Sequence, residues 1–506
     1  MDIVERTIGD RGLSYRQKVS ALARLGEERV SPLRIPPRTE ELRAAGVVCD
    51  LNEGPAPYRP RYILPDYDAF LRRGSAFLRI EAPRDFLDAV FALLAIYRQV
   101  PSITGYPVWL GDLDSLLEPF ALPDAGDALA PEQDRLVRMF MEQIDRDLPD
   151  SFCHADLGPR ATRVGRAILR HQRSAARAVP NLSLRYDPEL TDDGFAEEAA
   201  ACALDSAKPS FANHRRFEAD FAALGLGRYA VASCYNGLPV GGGSCTLVRL
   251  NLAALARSAR IEGMGVEDFL SGPLAEAVAA TLGYIQERVR FVMEDSGFFE
   301  SSFLAAEGLI ERSRFTAMFG LVGLAECVNA LLAREGARFG RDKAADELGL
   351  RVLGRIDDLV AAHRDPRLEA AGGRYLLHAQ VGIDSDTGVS PGCRIPIGEE
   401  PSLPEHLLRS APFHAPFVAG TGDVFAFEPT ARANPGQIVD AVKGFFALGG
   451  RYFSCYAADS DVFRVTGYLV KRSEVERLRR GEAVPNASTV LGMNAIDNLK
   501  VLDRAL

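Results

Sequence analysis

Two short stretches hold residues whose types could do chemistry. In "VASCYNGLPVGGGSCTLVRLNL" (231–252), Cys234 closes an apolar strand pattern, ahead of a Pro-containing turn and the run Gly241–Gly243. Such a loop gives up side chains so that backbone can pack closely or a ligand can approach. A core cysteine ahead of a flexible loop reads from the same residues. In "DVFRVTGYLVKR" (461–472), Gly467 interrupts a strand pattern of Phe463, Val465, Tyr468, Leu469 and Val470. Glycine weakens a strand unless it marks a bulge or a close backbone approach. Other polar residues could line a site. Glu294 and Asp295 in "FVMEDSGFFESSF" form an acid/base pair at a helix end, or a solvated cap. His214 follows Asn213, Asn236 lies in the cysteine loop, and His378 and Gln380 point the same way from one strand pattern. Asp112 and Asp114 make a polar loop beside Trp109, the single tryptophan. Cys245 and Cys455 read as secondary redox thiols or as buried core cysteines.

Strands and helices must carry these groups. Residues 1–60 are polar, Pro- and Arg-rich, with one short helix near 15–25; helices are expected at 83–100, 131–148 and 155–178. From about 180 strands and helices alternate. Strands are expected at 181–186, 228–233, 244–252, 373–383, 423–428 and 451–457. Helices are expected from Asp192 (capped by Thr191), at 265–290, 312–336 and 344–363, and from Asn434-Pro435 to Gly449. The alternation predicts an α/β core, a barrel behind an N-terminal helical layer. Three parts follow: a mostly helical 1–179, a barrel core 180–450 and a C-terminal unit 451–506.

Composition narrows the function. A net charge of −10 without a recurring basic patch argues against nucleic acid. The stretch 318–333, "MFGLVGLAECVNALLA", holds Glu326 and Asn329, is too short to span a bilayer and reads as a buried core helix. The first residues lack the pattern of a signal peptide. Eight cysteines without a CxxC spacing exclude a zinc ribbon or dithiol motif, and no metal site is expected. Reduced thiols in the cytoplasm are the default reading.

Taken together, these stretches resemble the glycyl radical enzymes. "FRVTGYL" resembles their Arg-Val-X-Gly-Tyr radical motif, and "YAVASCYN" (229–236) their strand leading to the active-site cysteine. "PNLSLRYDPEL" (180–190), "SAKPSFANH" (206–214) and "GQIVDAVKGFFALGGRYFSCY" (436–456) are similar to further family segments, in the same order. Pairing Gly with Cys has a physical reason. Glycine has two α-hydrogens and no Cβ, so losing one leaves a planar radical delocalised over the flanking amides. A cysteine thiyl is more oxidising and can take hydrogen from an unactivated C–H.

The resemblance implies that Gly467 stores the radical and Cys234 uses it on a small polar substrate, cleaving a C–O or C–C bond as a lyase or dehydratase. It implies a ten-stranded α/β barrel of two five-stranded halves, with the cysteine loop and the C-terminal glycyl radical loop meeting inside. It implies no permanently bound cofactor. A separate radical-SAM (4Fe-4S) activating enzyme would install the radical, since the usual CxxxCxxC motif is absent from this chain. A homodimer fits the same expectation, and Arg464 is expected to tie the radical loop down through carboxylates.

Within the family, Cys234 is followed by Tyr235 rather than a second cysteine, as in pyruvate formate-lyase. "SCYN" also lacks the Glu of the diol dehydratase and choline lyase loop. "GGGSCTLVRLNLAALA" and "FGLVGLAECVNAL" resemble the anaerobic ribonucleotide reductases, whose C-terminal four-cysteine zinc site and ATP cone are missing here. The chain is most similar to the short YjjI-like enzymes, with their Cys-Tyr/Phe-Asn-Gly-Leu-Pro loop. A ribonucleotide reductase-like activity is the second reading and a catalytically silent scaffold the third.

Overall fold

Strands buried along nearly their whole length make the centre of the molecule. The structure, a computed structural model, describes residues 2–29, 31–50, 58–102, 104–122, 128–261, 264–379, 388–498 and 500–504. In chain order the strands are β1 (Val48–Asp50), β2 (Tyr62–Leu64), β3 (Trp109–Asp112), β4 (His154–Leu157) and β5 (Asn181–Tyr186). Next come β6 (Ser210–Asn213), β7 (Tyr229–Ala232), β8 (Asn236–Pro239), β9 (Gly242–Asn251) and β10 (Phe315–Val322). The last are β11 (Leu376–His378), β12 (Asp423–Phe427), β13 (Tyr452–Ala457), β14 (Val462–Arg464) and β15 (Leu469–Lys471).

One sheet runs β1-β9-β10-β11, with β2 also paired to β9; the other runs β12-β13-β6-β5-β4-β3. β3 to β6 are mutually parallel, as are β9 to β11 and the pair β12/β13; β13 meets β6 antiparallel. Among the described residues the sheets thus have five and six strands, where five and five were expected. Short antiparallel edges, β1 and β2 on β9, enlarge one sheet, and β3 and β4 from before residue 180 enlarge the other. The second sheet therefore runs across the boundary drawn at 180.

β9 and β10 are buried along their whole lengths, as strands covered on both faces must be. This explains a difference from the sequence reading: the helix expected over 312–336 is β10 followed by a helix at Leu324–Leu331. A continuous apolar run carries no periodicity that separates a buried strand from a buried helix. Gly323, at φ +76°, makes the break between them. Likewise the helix expected at 155–178 is β4 and then Arg163–Ala175, interrupted at Gly158-Pro159. The helix after β5 is capped by Asp192, whose carboxylate accepts from Phe195 N, one residue later than the expected Thr191.

β7/β8 and β14/β15 belong to neither sheet. Each is a two-stranded hairpin, and both are buried at their tips. An isolated hairpin is marginal in water, so the surrounding strands must hold these two. Among the described residues, no helix is long and apolar enough to cross a membrane.

Candidate active site

Cys234 sits at the tip of the β7/β8 hairpin, whose register pairs Ala232 with Asn236. Gly467 sits at the tip of the β14/β15 hairpin, closed by Val465 N donating to Tyr468 O at 3.1 Å. More than two hundred positions apart in the chain, the two tips touch. A Cβ placed on Gly467 would lie 2.9 Å from Cys234 Sγ and 2.8 Å from Tyr235 Cε1, and nearer still to Cys234 Cβ. Gly467 is outside the left-handed region. It is glycine because of what presses on it, not because of its backbone angles.

Side chains from the six-stranded sheet fix the cysteine tip. Ser233 has a left-handed backbone (φ 61°), a conformation costing on the order of 1–3 kcal/mol. Its N–H donates to Val108 O at 2.9 Å, and its carbonyl accepts from His154 Nδ1 at 3.0 Å. His154 Nε2 meets Ser183 Oγ at 2.8 Å, and Ser183 Oγ meets Tyr452 Oη at 2.7 Å. The Tyr452 hydroxyl then donates to Cys234 O at 3.0 Å. Carbonyls on both sides of the cysteine are thus held by residues of β4, β5 and β13. Burial lowers His154 to about 3, so its ring is neutral and carries its proton on Nδ1 toward the Ser233 carbonyl. Burial also pushes the Cys234 thiol up to about 12. This cysteine keeps its S–H at neutral pH, which suits transfer of a hydrogen atom rather than attack by a thiolate.

The glycine tip is held by Arg464, fully buried. Its Nη1 and the Asn181 amide both donate to Gly467 O at 3.0 Å. Its Nε donates to Ala207 O at 2.9 Å, and its Nη2 to Asn181 Oδ1 at 3.1 Å. Neutral oxygens therefore do what carboxylates were expected to do. Replacing Arg464 by Met removes three hydrogen bonds from a charged donor, each worth about 1.5–3 kcal/mol. Gly467 O keeps the Asn181 amide and Asn181 Oδ1 keeps Leu182 N, while Ala207 O loses the Arg464 donor. We expect a loss of about 3 kcal/mol or more in chemical denaturation; a loss under 1 kcal/mol would contradict the anchoring role.

Several residues singled out in the sequence surround this centre without touching it. The Trp109 indole donates to Asp156 Oδ2 at 3.1 Å, and Asp156 Oδ2 also accepts from Val231 N of the cysteine hairpin at 2.9 Å. His214 Nδ1 meets Tyr229 Oη at 2.7 Å at the hairpin's base. Asn213 caps its own helix and donates to Gly450 O. Asn236 Nδ2 donates to Ala232 O, closing the tip. His378 Nδ1 donates to Ala419 O at 2.9 Å, with its ring 5.5 Å from that of Tyr235; Gln380 lies outside the described residues. Glu294 is on the outer surface, paired with Arg367 at 2.8 Å. Asp112 pairs with Arg185 at 3.1 Å, and Asp114 binds Gly158 N at 3.0 Å. Cys245 is buried on β9; Cys455, buried on β13, falls on the face opposite Tyr452. Among the described residues no three His, Cys, Asp or Glu side chains stand close enough to hold a metal ion.

A cavity of about 440 Å³ reaches the cysteine tip at Ser233. Arg59, Arg61, Tyr62, Thr104 and Asp150 contribute to its wall. Sequence reasoning missed all five, because they lie in loops and a short strand without a motif. Asp150 is buried, with its carboxyl raised by burial, and accepts from Phe152 N at 2.9 Å and Ser488 Oγ at 2.8 Å.

Comparison with known proteins agrees with this geometry. The family described as glycyl radical enzyme YjjI-like matches residues 13–506. A protein of Haemophilus influenzae is 42% identical over all of this chain and 97% of its own length. YjjI of Escherichia coli is 40% identical over 97% of this chain and 93% of its own. Two solved structures share the fold at low identity. The enzyme of 1,2-propanediol dehydration in Roseburia inulinivorans has TM-score 0.68 at 10% identity, over 97% of this chain and 88% of that one. The anaerobic ribonucleotide reductase of Thermotoga maritima has TM-score 0.65 at 13% identity, over 87% and 85%. Two hairpin tips in contact inside an α/β core, one bearing cysteine and the other glycine, together with these matches, place the chain in the YjjI-like glycyl radical enzyme family.

Proposed function

We propose that this chain is an anaerobic radical lyase or dehydratase in which Gly467 stores the radical and Cys234 spends it on a small polar substrate. The contact between the two hairpin tips carries the reading. Within it, the glycyl radical takes the hydrogen atom of the Cys234 thiol. The resulting thiyl takes one from a substrate C–H, leaving a carbon radical and an intact S–H. A neighbouring C–O or C–C bond then breaks, the product radical recovers a hydrogen atom from the same thiol, and the thiyl so formed takes one back from Gly467 to restore the glycyl radical. No electron is gained or lost over the cycle. Where the leaving group is hydroxyl, it needs a proton to depart as water, and Asp150 at the cavity wall is a carboxyl raised by burial that can hold one. Burial of both tips keeps solvent from the radical intermediates.

Support for dehydration comes from the fold shared with the propanediol enzyme and with a hydroxyproline dehydratase of Clostridioides difficile (TM-score 0.66, 12% identity, 95% of this chain and 88% of that one). The ribonucleotide reductase fold is equally near, but the chain has no cysteine set matching that family's C-terminal zinc site. Installation of the radical falls to a separate radical-SAM partner. The cytoplasm suits a chain whose eight cysteines are all free thiols.

Anaerobic treatment with the cognate radical-SAM enzyme should produce an organic doublet in the EPR spectrum. Subsequent exposure to air should cut the chain at Gly467 and release a fragment of about forty residues, seen by mass spectrometry. An activated chain that shows neither is not a glycyl radical enzyme in function.

A further inference from the structure

Most buried guanidinium groups among the described residues are bonded through at least one arm of the fork. Arg464 engages all three nitrogens. Arg451 bonds His414 O through Nε and Ala415 O through Nη2. Arg394 is the exception. It is 7% exposed, and its Nε donates to Gly422 O at 2.6 Å. Among the described residues, however, neither Nη1 nor Nη2 has a hydrogen-bond partner. Among the described residues, no other arginine has both Nη1 and Nη2 buried and unbonded; Arg504 leaves Nε and Nη2 open but bonds through Nη1. Asp423 is near, with Oδ1 3.9 Å from Nε, but its oxygens are taken by His406 Nε2 at 2.9 Å and Val424 N at 2.8 Å. A charged donor pair left open inside a protein is costly unless something else fills it.

The position of this fork is informative. Arg394 lies over the ring of Tyr235, 5.6 Å from its centroid, and Tyr235 follows Cys234 in the hairpin tip. The Tyr235 hydroxyl is occupied with Ala379 O at 3.1 Å and leaves the fork open. Arg394 is also near enough to Cys234 for its charge to act on the thiol. Ser233, on the other side of Cys234, opens on the 440 Å³ cavity. A planar fork with two free N–H arms is the geometry that binds a carboxylate or phosphate through paired hydrogen bonds.

We propose that Arg394 is the anion-binding residue of the active site, and that the substrate carries a carboxylate or phosphate group seated on its Nη1 and Nη2. The anion would orient the substrate beside Tyr235, with the reacting C–H presented to Cys234. This rests on the reading of Cys234 as the hydrogen-abstracting residue.

The test uses the full, unactivated chain, titrated calorimetrically with sodium acetate in one arm and inorganic phosphate in the other, at ionic strength held constant with chloride. Saturable binding of at least one anion is expected. Arg394→Gln should weaken it by about tenfold or more, whereas Arg351→Gln, a surface control paired with Glu267, should leave it unchanged. The arm that binds more tightly assigns carboxylate or phosphate. If neither anion binds, or Arg394→Gln binds as the wild type does, the proposal is overturned. Should Arg394→Gln fail to fold, as judged by its melting curve, Arg394→Lys makes the same comparison. It keeps the charge and loses the fork, so a clear loss supports the proposal and unchanged binding refutes it. An EPR doublet measured separately on the activated wild type reports on the radical reading alone, so either idea can fail without the other.

Discussion

Gly467→Ala should abolish the EPR doublet and destabilise the protein in the same step. The chemical loss comes first. An alanyl Cα has one hydrogen, and its methyl group twists the amide plane over which the unpaired electron must spread. Packing then adds a second effect. The methyl would come 2.9 Å from Cys234 Sγ and 2.8 Å from Tyr235 Cε1, nearer than real Cβ atoms come to their neighbours. Neither hairpin can retreat freely. Gly467 O is pinned by Arg464 and Asn181, and the cysteine tip by His154 and Tyr452. Overpacking of this kind costs about 1–3 kcal/mol. Both losses are measurable separately, by EPR after activation and by chemical denaturation before it. An alanine variant that keeps the wild-type doublet would show that the radical resides elsewhere.

Cys234→Ser, in contrast, should keep the doublet and lose turnover. In the proposed mechanism the radical on Gly467 depends on the glycine and its activating partner, not on the thiol. An O–H bond is much stronger than an S–H bond, so the glycyl radical cannot draw hydrogen from serine. Turnover should fall by at least about a thousandfold, or about 4 kcal/mol of barrier. Some stability is lost too, since the tip is buried and a hydroxyl there needs a partner, at about 1–3 kcal/mol. Retained turnover would transfer the role to another thiol. Cys455 is poorly placed for it, on the outer face of its strand and pushed up to about 12 by burial. A variant that lost both radical and turnover would instead mean that the tips support each other structurally.

Much of the proposed site is readable in the sequence because the chemistry proposed for it demands particular residue types. Only glycine gives a stable backbone radical, and only cysteine gives a thiyl, so Gly467 and Cys234 stand out by identity and by the motifs around them. The strands β5, β9, β12 and β13 are legible for a related reason: apolar runs bounded by polar turns leave few alternatives. Local patterning failed at β10 and β4, which are buried on both faces and carry no period to identify them.

What only the tertiary structure decides is neighbourhood. No local pattern indicates that His154 and Tyr452, linked through Ser183 and drawn from separate strands, converge on the carbonyls of Ser233 and Cys234. Nor does the sequence distinguish Glu294, solvated on the surface, from Asp150, buried at the cavity wall. Both are acidic residues in polar stretches, and burial alone separates them. Arg464 and Arg394 are likewise two arginines among many until the fold shows one fully bonded and the other with an open fork. The type of chemistry is written in single residues, because it depends on what an atom can do. The partners of those residues are long-range contacts, set by which strands the sheets bring side by side.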